Sequence, residues 1–73
     1  MNEHQLTDLI FNALEKQAHA GREPPYMCMV HERECSPEIV HKIRKNLISL
    51  GYTVTATKSE SQYNFLALPS RSS

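Results

Sequence analysis

The segment from Ser36 to Thr57 restricts the fold more than any other part of the chain. Ser36 suits the N-cap of a helix, Pro37 the first helical position and Gly51 the C′ position that ends it. Residues 52–57 then alternate between apolar side chains and threonine, which predicts a strand with one buried and one polar face. An amphipathic helix that leads directly into a half-buried strand must lie against a sheet. The apolar stripe of that helix is predicted to consist of Ile39, Val40, Ile43, Leu47 and Leu50.

A first helix is predicted between Asn2 and Gly21. Asn2 and Gln5 have the spacing of a capping box, and Gly21 suits the position after the last turn. Phe11 lies off the apolar stripe, closer to the polar side, and is therefore a candidate contact residue. The predicted buried stripe contains Leu6, Leu9, Ile10, Ala13 and Leu14.

Two further strands complete the set of elements. Residues 26–30 follow the stiff Pro24-Pro25 connector and read as a short strand that is apolar on both faces. Residues 58–62 form a polar turn, residues 63–68 form a return strand, and residues 70–73 are expected to be a frayed tail.

These elements predict one α+β domain over residues 1–73, in the order α-β-α-β-β. A right-handed strand–helix–strand crossover would make the first two strands parallel, and the hairpin would add the third strand antiparallel, giving a mixed three-stranded sheet. Two helices packed on one face leave the other face of the sheet without a covering element.

The uncovered face is predicted to be partly apolar. If Tyr26, Cys28 and Val30 point towards the helices, the outer face holds Met27 and Met29, together with Leu66 and Leu68. Such patches usually mark interaction sites, and methionine adapts to different partners. Three interpretations remain open: a different protein binds here, the face pairs with itself, or the first strand is flipped and the patch does not form.

The charge distribution offers a second candidate surface. Eight Lys and Arg residues balance eight Asp and Glu residues, so the basic excess typical of nucleic-acid binders is missing. Acidic residues are concentrated before residue 39 and basic residues after it. Lys42, Arg44 and Lys45, beside His41, could bind phosphate or an acidic partner, with Lys58 as a further cation, or could be a solvated helix face.

The sequence lacks the common motifs of catalytic and metal-binding sites. Cys28, His31, Cys35 and His41 do not have the spacing of a structural zinc site, and no phosphate loop, GxSxG or HExxH motif is present. Cys35 precedes a helix N-terminus, which favours a thiolate, but three nearby glutamates oppose it. We therefore expect no enzyme activity, cofactor or metal.

Without a signal peptide or an apolar stretch of about 18 residues, the chain is expected to be soluble and intracellular.

Parts of the chain also resemble a known family. The residues concerned are 36–39, the run from Leu47 to Val54, residues 63–66, and residues 18–21 before the first strand. This arrangement is similar to small phage-encoded proteins in which a helix ends in L-x-x-L-G-Y-x-V before a short return strand. The resemblance covers about residues 15–68, and the chain departs from it at Leu68-Pro69, where family members often end with an aromatic residue.

The resemblance implies a host-takeover function. Phage proteins of this type bind a host protein complex, and the expected partner is bacterial RNA polymerase, whose transcription would be inhibited or redirected in the bacterial cytoplasm. The alternatives are a nucleic-acid-binding module that uses Lys42, Arg44 and Lys45, or a self-associating virion protein.

Overall fold

The protein folds as two helices packed on one face of a three-stranded sheet, which confirms the predicted α+β class and element order. The computed structural model describes residues 2–70, so the predicted tail lies outside the described residues from residue 71 onward. The elements are α1 (Glu3–His19), β1 (Tyr26–His31), a 3₁₀ turn (Glu32–Glu34), α2 (Pro37–Ser49), β2 (Tyr52–Ser59) and β3 (Gln62–Pro69).

The strand order is β1-β3-β2, and both pairings are antiparallel. The sheet is therefore antiparallel throughout, and the prediction of a mixed sheet is wrong in this detail. β1 and β2 do run in the same direction, as the crossover rule predicted, but β3 lies between them. β3 turns back from β2 through the two-residue turn Glu60-Ser61 and forms a ladder with each neighbour, so no parallel pair is needed.

Both helices begin and end where the capping residues predicted. Asn2 and Gln5 exchange hydrogen bonds of 2.9 and 3.0 Å in a capping box, and the Ser36 hydroxyl accepts from the backbone N–H of Ile39. Gly51 has a φ of +103°. That conformation strains residues with a Cβ, and it lets the chain turn sharply from α2 into β2.

The core lies between the helices and the inner face of the sheet. Phe65, at the middle of the central strand, is completely buried. Leu9 and Leu50, which were predicted to be buried, are 47% and 49% exposed, while Thr7 is buried. In α1 the reason is that this helix also packs against α2, where Thr7 accepts a 3.1 Å hydrogen bond from the Asn46 amide. Leu50 is the C-cap residue of α2, after its last turn.

Phe11 is half-buried rather than on the polar side. Its ring packs edge-on against Tyr52 with 5.9 Å between the ring centroids, and the residue lies against the core. The prediction that placed Phe11 away from the apolar stripe is therefore wrong. The stripe of α1 is rotated towards α2 relative to the sequence expectation, and the rotation brings Phe11 inward as it brings Leu9 outward.

Ionisation of Tyr52 is expected to lower the stability of the folded protein at alkaline pH. Burial, together with a 2.6 Å hydrogen bond from its hydroxyl to Glu15 Oε2, raises the pKa of Tyr52 to about 12. An unfolded tyrosine has a pKa near 10. Because the folded pKa is the higher one, the stabilising contribution is complete below about pH 10 and is lost as the pH rises towards about 12.

We expect urea midpoints measured from pH 9 to 12 to fall more steeply for the wild type than for Tyr52→Phe. The phenylalanine variant keeps the ring contacts and lacks the ionisable group. Parallel curves for the two proteins would contradict the assignment.

Candidate binding face

The outer face of the sheet, called the open face below, is covered by neither of the helices that the structure describes within residues 2–70. The strand orientation expected from the sequence is the one observed, with Met27 and Met29 outward and Tyr26 and Val30 buried. The third interpretation, a flipped first strand, is thereby removed. The open face comprises Met27, Met29 and His31 of β1, Thr53, Thr55, Thr57 and Ser59 of β2, and Gln62, Asn64, Leu66 and Leu68 of β3.

The register arranges this face into an apolar end and a polar end. Leu66 lies between Met27 on one side and Thr55 on the other, and Leu68 lies next to it along β3, opposite Thr53. Met27, Met29 and Leu68 are about half exposed, and Leu66 is partly covered by its neighbours. The four apolar residues predicted for the face therefore form one contiguous patch.

The polar end is held in place by side-chain hydrogen bonds. Gln62 Nε2 donates to Asn64 Oδ1 at 3.1 Å and lies 3.1 Å from the Met29 sulfur. This amide links the polar end to the apolar patch and restricts the rotamers of all three side chains. A surface whose side chains are already ordered loses less conformational entropy when a partner binds.

The chemical character of the open face differs from that of the rest of the surface. It contains no Lys, Arg, Asp or Glu, although the chain has sixteen charged residues of these types, eight basic and eight acidic. Its one aromatic ring is the imidazole of His31, because the larger sheet aromatics point to the core; these are Tyr26, Tyr52, Tyr63 and Phe65. Charged residues are depleted at the centres of protein–protein interfaces, whereas aromatic side chains and cations are the usual contacts of nucleic-acid-binding sheets.

The basic residues of α2 do not form one common surface. Lys42 Nζ lies 3.5 Å from Glu3 Oε1, and Arg44 donates from Nε to the Val54 carbonyl at the outer edge of β2 at 3.1 Å. Lys45 is exposed. The further cation, Lys58, lies 2.9 Å from Glu32, which lowers the pKa of the glutamate and raises that of the lysine. Three of the four candidate phosphate contacts thus have partners within the fold.

The cysteines lack the surroundings of a nucleophile. Cys35 is buried, its thiol faces the Ser36 carbonyl at 3.7 Å, and burial raises its pKa. Burial also raises the pKa of the Cys28 thiol. Within residues 2–70, no three His, Cys, Asp or Glu side chains are grouped as metal ligands.

None of the described helices is both long enough and apolar enough to cross a bilayer.

Comparison of the chain with family models, with curated proteins and with solved structures found no match.

Two residues of the candidate site were not singled out from the sequence. Gln62 was predicted to belong to the turn, but β3 begins there, and the same alternation that places Leu66 outward places Gln62 outward as well. Gln17 was not assigned a role. Its amide forms two hydrogen bonds with the backbone of Met27, at 2.8 and 3.1 Å, on the outer edge of β1. A glutamine on a helix carries no sequence signal for such a contact, because the contact depends on where the helix lies relative to the strand.

Proposed function

We propose that this protein is a non-enzymatic binding module that recognises another protein through the apolar end of the open face. The observation that carries the proposal is the contiguous patch of Met27, Met29, Leu66 and Leu68 on a sheet face without charged residues. Methionine and leucine adapt their shape at low cost, which suits a surface that must fit a partner of fixed shape.

The composition of the open face favours a protein over a nucleic acid. Phosphate binding depends on cations, and stacking on bases depends on aromatic side chains. This face has no Lys, Arg, Phe, Tyr or Trp, and the one imidazole on it, that of His31, accepts from the backbone N–H of Arg33 through Nδ1. The cations Lys42 and Arg44 on α2 are engaged within the fold. Bacterial RNA polymerase is the partner that the resemblance to small phage proteins implies, and interference with transcription is the corresponding mechanism.

The experiment that tests the proposal compares binding by three immobilised proteins. Wild-type protein, Leu66→Lys and Lys45→Glu are exposed to bacterial lysate and to purified RNA polymerase, and bound chains are identified by mass spectrometry. We expect Leu66→Lys to lose the partner that the wild type retains. A hot-spot residue at the centre of an interface costs about 2 kcal/mol or more when it is changed, so we expect the affinity to fall about 30-fold or more.

Lys45→Glu is the matched control, because it also changes charge at a single position and lies on the helical side of the molecule. It should bind as the wild type does. Met27→Lys, at a half-exposed position of the same patch, guards against a folding defect in Leu66→Lys. Equal binding by the wild type and both open-face variants would refute the proposal, and loss of binding only in Lys45→Glu would place the contact at Lys45 on α2 instead. If a partner other than polymerase is recovered and Leu66→Lys loses it, the proposed binding face is still supported. Only the proposal that polymerase is the partner is then refuted.

A further inference from the structure

Two methionines project from the open face into solvent. Within residues 2–70 the methionines are Met27, which is 54% exposed, and Met29, which is 57% exposed. Oxidation of an accessible thioether to the sulfoxide replaces a flexible apolar side chain with a polar one. Because the two exposures are nearly equal, a difference in reactivity between the two sulfurs must come from the groups that surround each of them.

The sulfur of Met29 has a hydrogen-bond donor beside it. Gln62 Nε2 lies 3.1 Å from this sulfur and also donates to Asn64 Oδ1 at 3.1 Å, so the amide is held in place. A thioether sulfur is a weak acceptor, and an N–H that points at it withdraws electron density from the lone pair that attacks an oxidant. Loss of a weak hydrogen bond at the transition state slows a reaction about twofold.

The sulfur of Met27 has different neighbours. Within residues 2–70 no donor bonds this sulfur, and the hydrogen bonds from Gln17 go to the Met27 backbone. Met27 shares a surface depression with Lys16 and Arg22, neither of which forms a salt bridge in the same range. Cations beside an oxygen that takes on negative charge stabilise the transition state in which that charge develops. Both differences favour reaction at Met27 over reaction at Met29.

We propose that Met27 and Met29 form an oxidation site that peroxides attack in a fixed order, Met27 first and Met29 second. The sulfur lone pair attacks one oxygen of hydrogen peroxide, so that the O–O bond breaks and an S–O bond forms. The hydroxide that leaves takes the proton of the transferred hydroxyl group and becomes water. The sulfur thereby loses two electrons, and the peroxide gains them.

Oxidation of this site weakens partner binding by the open face. This consequence rests on the proposed function, in which the two methionines belong to the apolar patch that contacts the partner. Each sulfoxide places a hydrogen-bond acceptor in that patch. A partner surface that fits thioethers covers this acceptor without donating to it, and an acceptor that is buried without a donor costs free energy.

Tandem mass spectrometry of peptides from the full chain, after timed exposure to hydrogen peroxide, measures the two oxidation rates separately. The reaction is run at about pH 5, where thiols stay protonated and react slowly while a thioether has no proton to lose. Burial raises the pKa of the Cys28 and Cys35 thiols and so suppresses the competing reaction further. We expect Met27 to gain one oxygen about twofold faster than Met29, or more.

Gln62→Leu removes the donor and keeps a side chain of similar size beside Met29. It should raise the rate at Met29 and leave the rate at Met27 unchanged, whereas a folding defect would raise both rates. Thr57→Val is the matched control, because it also replaces a polar side chain of the open face but removes no hydrogen bond to either sulfur. Equal rates for the two methionines of the wild type, or an unchanged rate at Met29 in Gln62→Leu, would overturn the inference.

Binding of the oxidised protein to the partner that the wild type retains tests the consequence for the open face. We expect peroxide treatment to lower the affinity of the wild type about fivefold or more. The affinity of the double variant Met27→Leu/Met29→Leu should be the same before and after treatment. Oxidised wild type that binds as tightly as the untreated protein would overturn the inference and leave the proposed function intact. A wild type that retains no partner would refute the proposed function, and the two oxidation rates would then decide the inference by themselves.

Discussion

Phe65→Ala is expected to unfold most of the protein at 25 °C. Phe65 is completely buried at the middle of the central strand, and its neighbours across the sheet are the small residues Cys28 and Ala56. Truncation of a buried phenylalanine costs about 3–5 kcal/mol, which includes the cavity that its neighbours fail to fill. A chain of this size has a total stability of about 3–5 kcal/mol, so the substitution removes most of it.

The measurement is urea unfolding followed by far-ultraviolet circular dichroism. Leu66→Ala is the matched control, because it removes a side chain of similar type from the next position of the same strand, on the open face. We expect it to cost about 1 kcal/mol or less. Phe65→Leu keeps most of the volume and should cost about 1 kcal/mol, which provides a measurable point if the alanine variant has no folded baseline. Similar midpoints for Phe65→Ala and Leu66→Ala would show that the sheet packs through its other face.

Ile43→Ala is expected to lower the free energy of unfolding by about 2–5 kcal/mol. Ile43 is completely buried on the side of α2 that packs against β2 and α1. Its removal leaves a cavity between the two helices and the sheet, because the backbones of three elements would have to shift to close it.

Ile48→Ala is the control for this second prediction. It is the same substitution five residues later on the same helix, where the side chain is 54% exposed. Little buried surface is lost there, and alanine has the higher helix propensity, so the change in stability should lie near zero. Thermal unfolding measures the loss of stability in both variants. A larger destabilisation for Ile48→Ala than for Ile43→Ala would contradict the orientation of α2.

The capping residues made the helices predictable from the sequence. Asn2, Ser36 and Gly51 act through bonds or dihedral angles within one turn of the chain, so their effect is local and visible in the order of residues. The alternation in β2 and β3 likewise decided which residues share a face of the sheet. That is why Leu66 and Leu68 could be assigned to the open face from the sequence, whereas Met27 lies on a strand that is apolar on both faces and its assignment depended on the orientation of β1.

The sequence did not decide how the elements lie against one another. Periodicity predicts that α1 has an apolar stripe, but whether Leu9 or Thr7 is buried depends on the angle at which α1 meets α2. The position of β3 between β1 and β2 was also undetermined, because the right-handed crossover rule fixes the direction of β1 and β2 but not which strand separates them.

Tertiary packing also decided the accessibility of polar and edge groups. Lys42 contacts Glu3, and Gln17 bonds the Met27 backbone. Both contacts join residues that are distant in sequence or belong to different elements. The sequence by itself thus determined the elements and most of what β2 and β3 contribute to the open face, since both follow from local periodicity and capping. Only the tertiary structure decided which way β1 faces, which strands form the two edges of the sheet and which cations are engaged, because those depend on how separate elements meet in space.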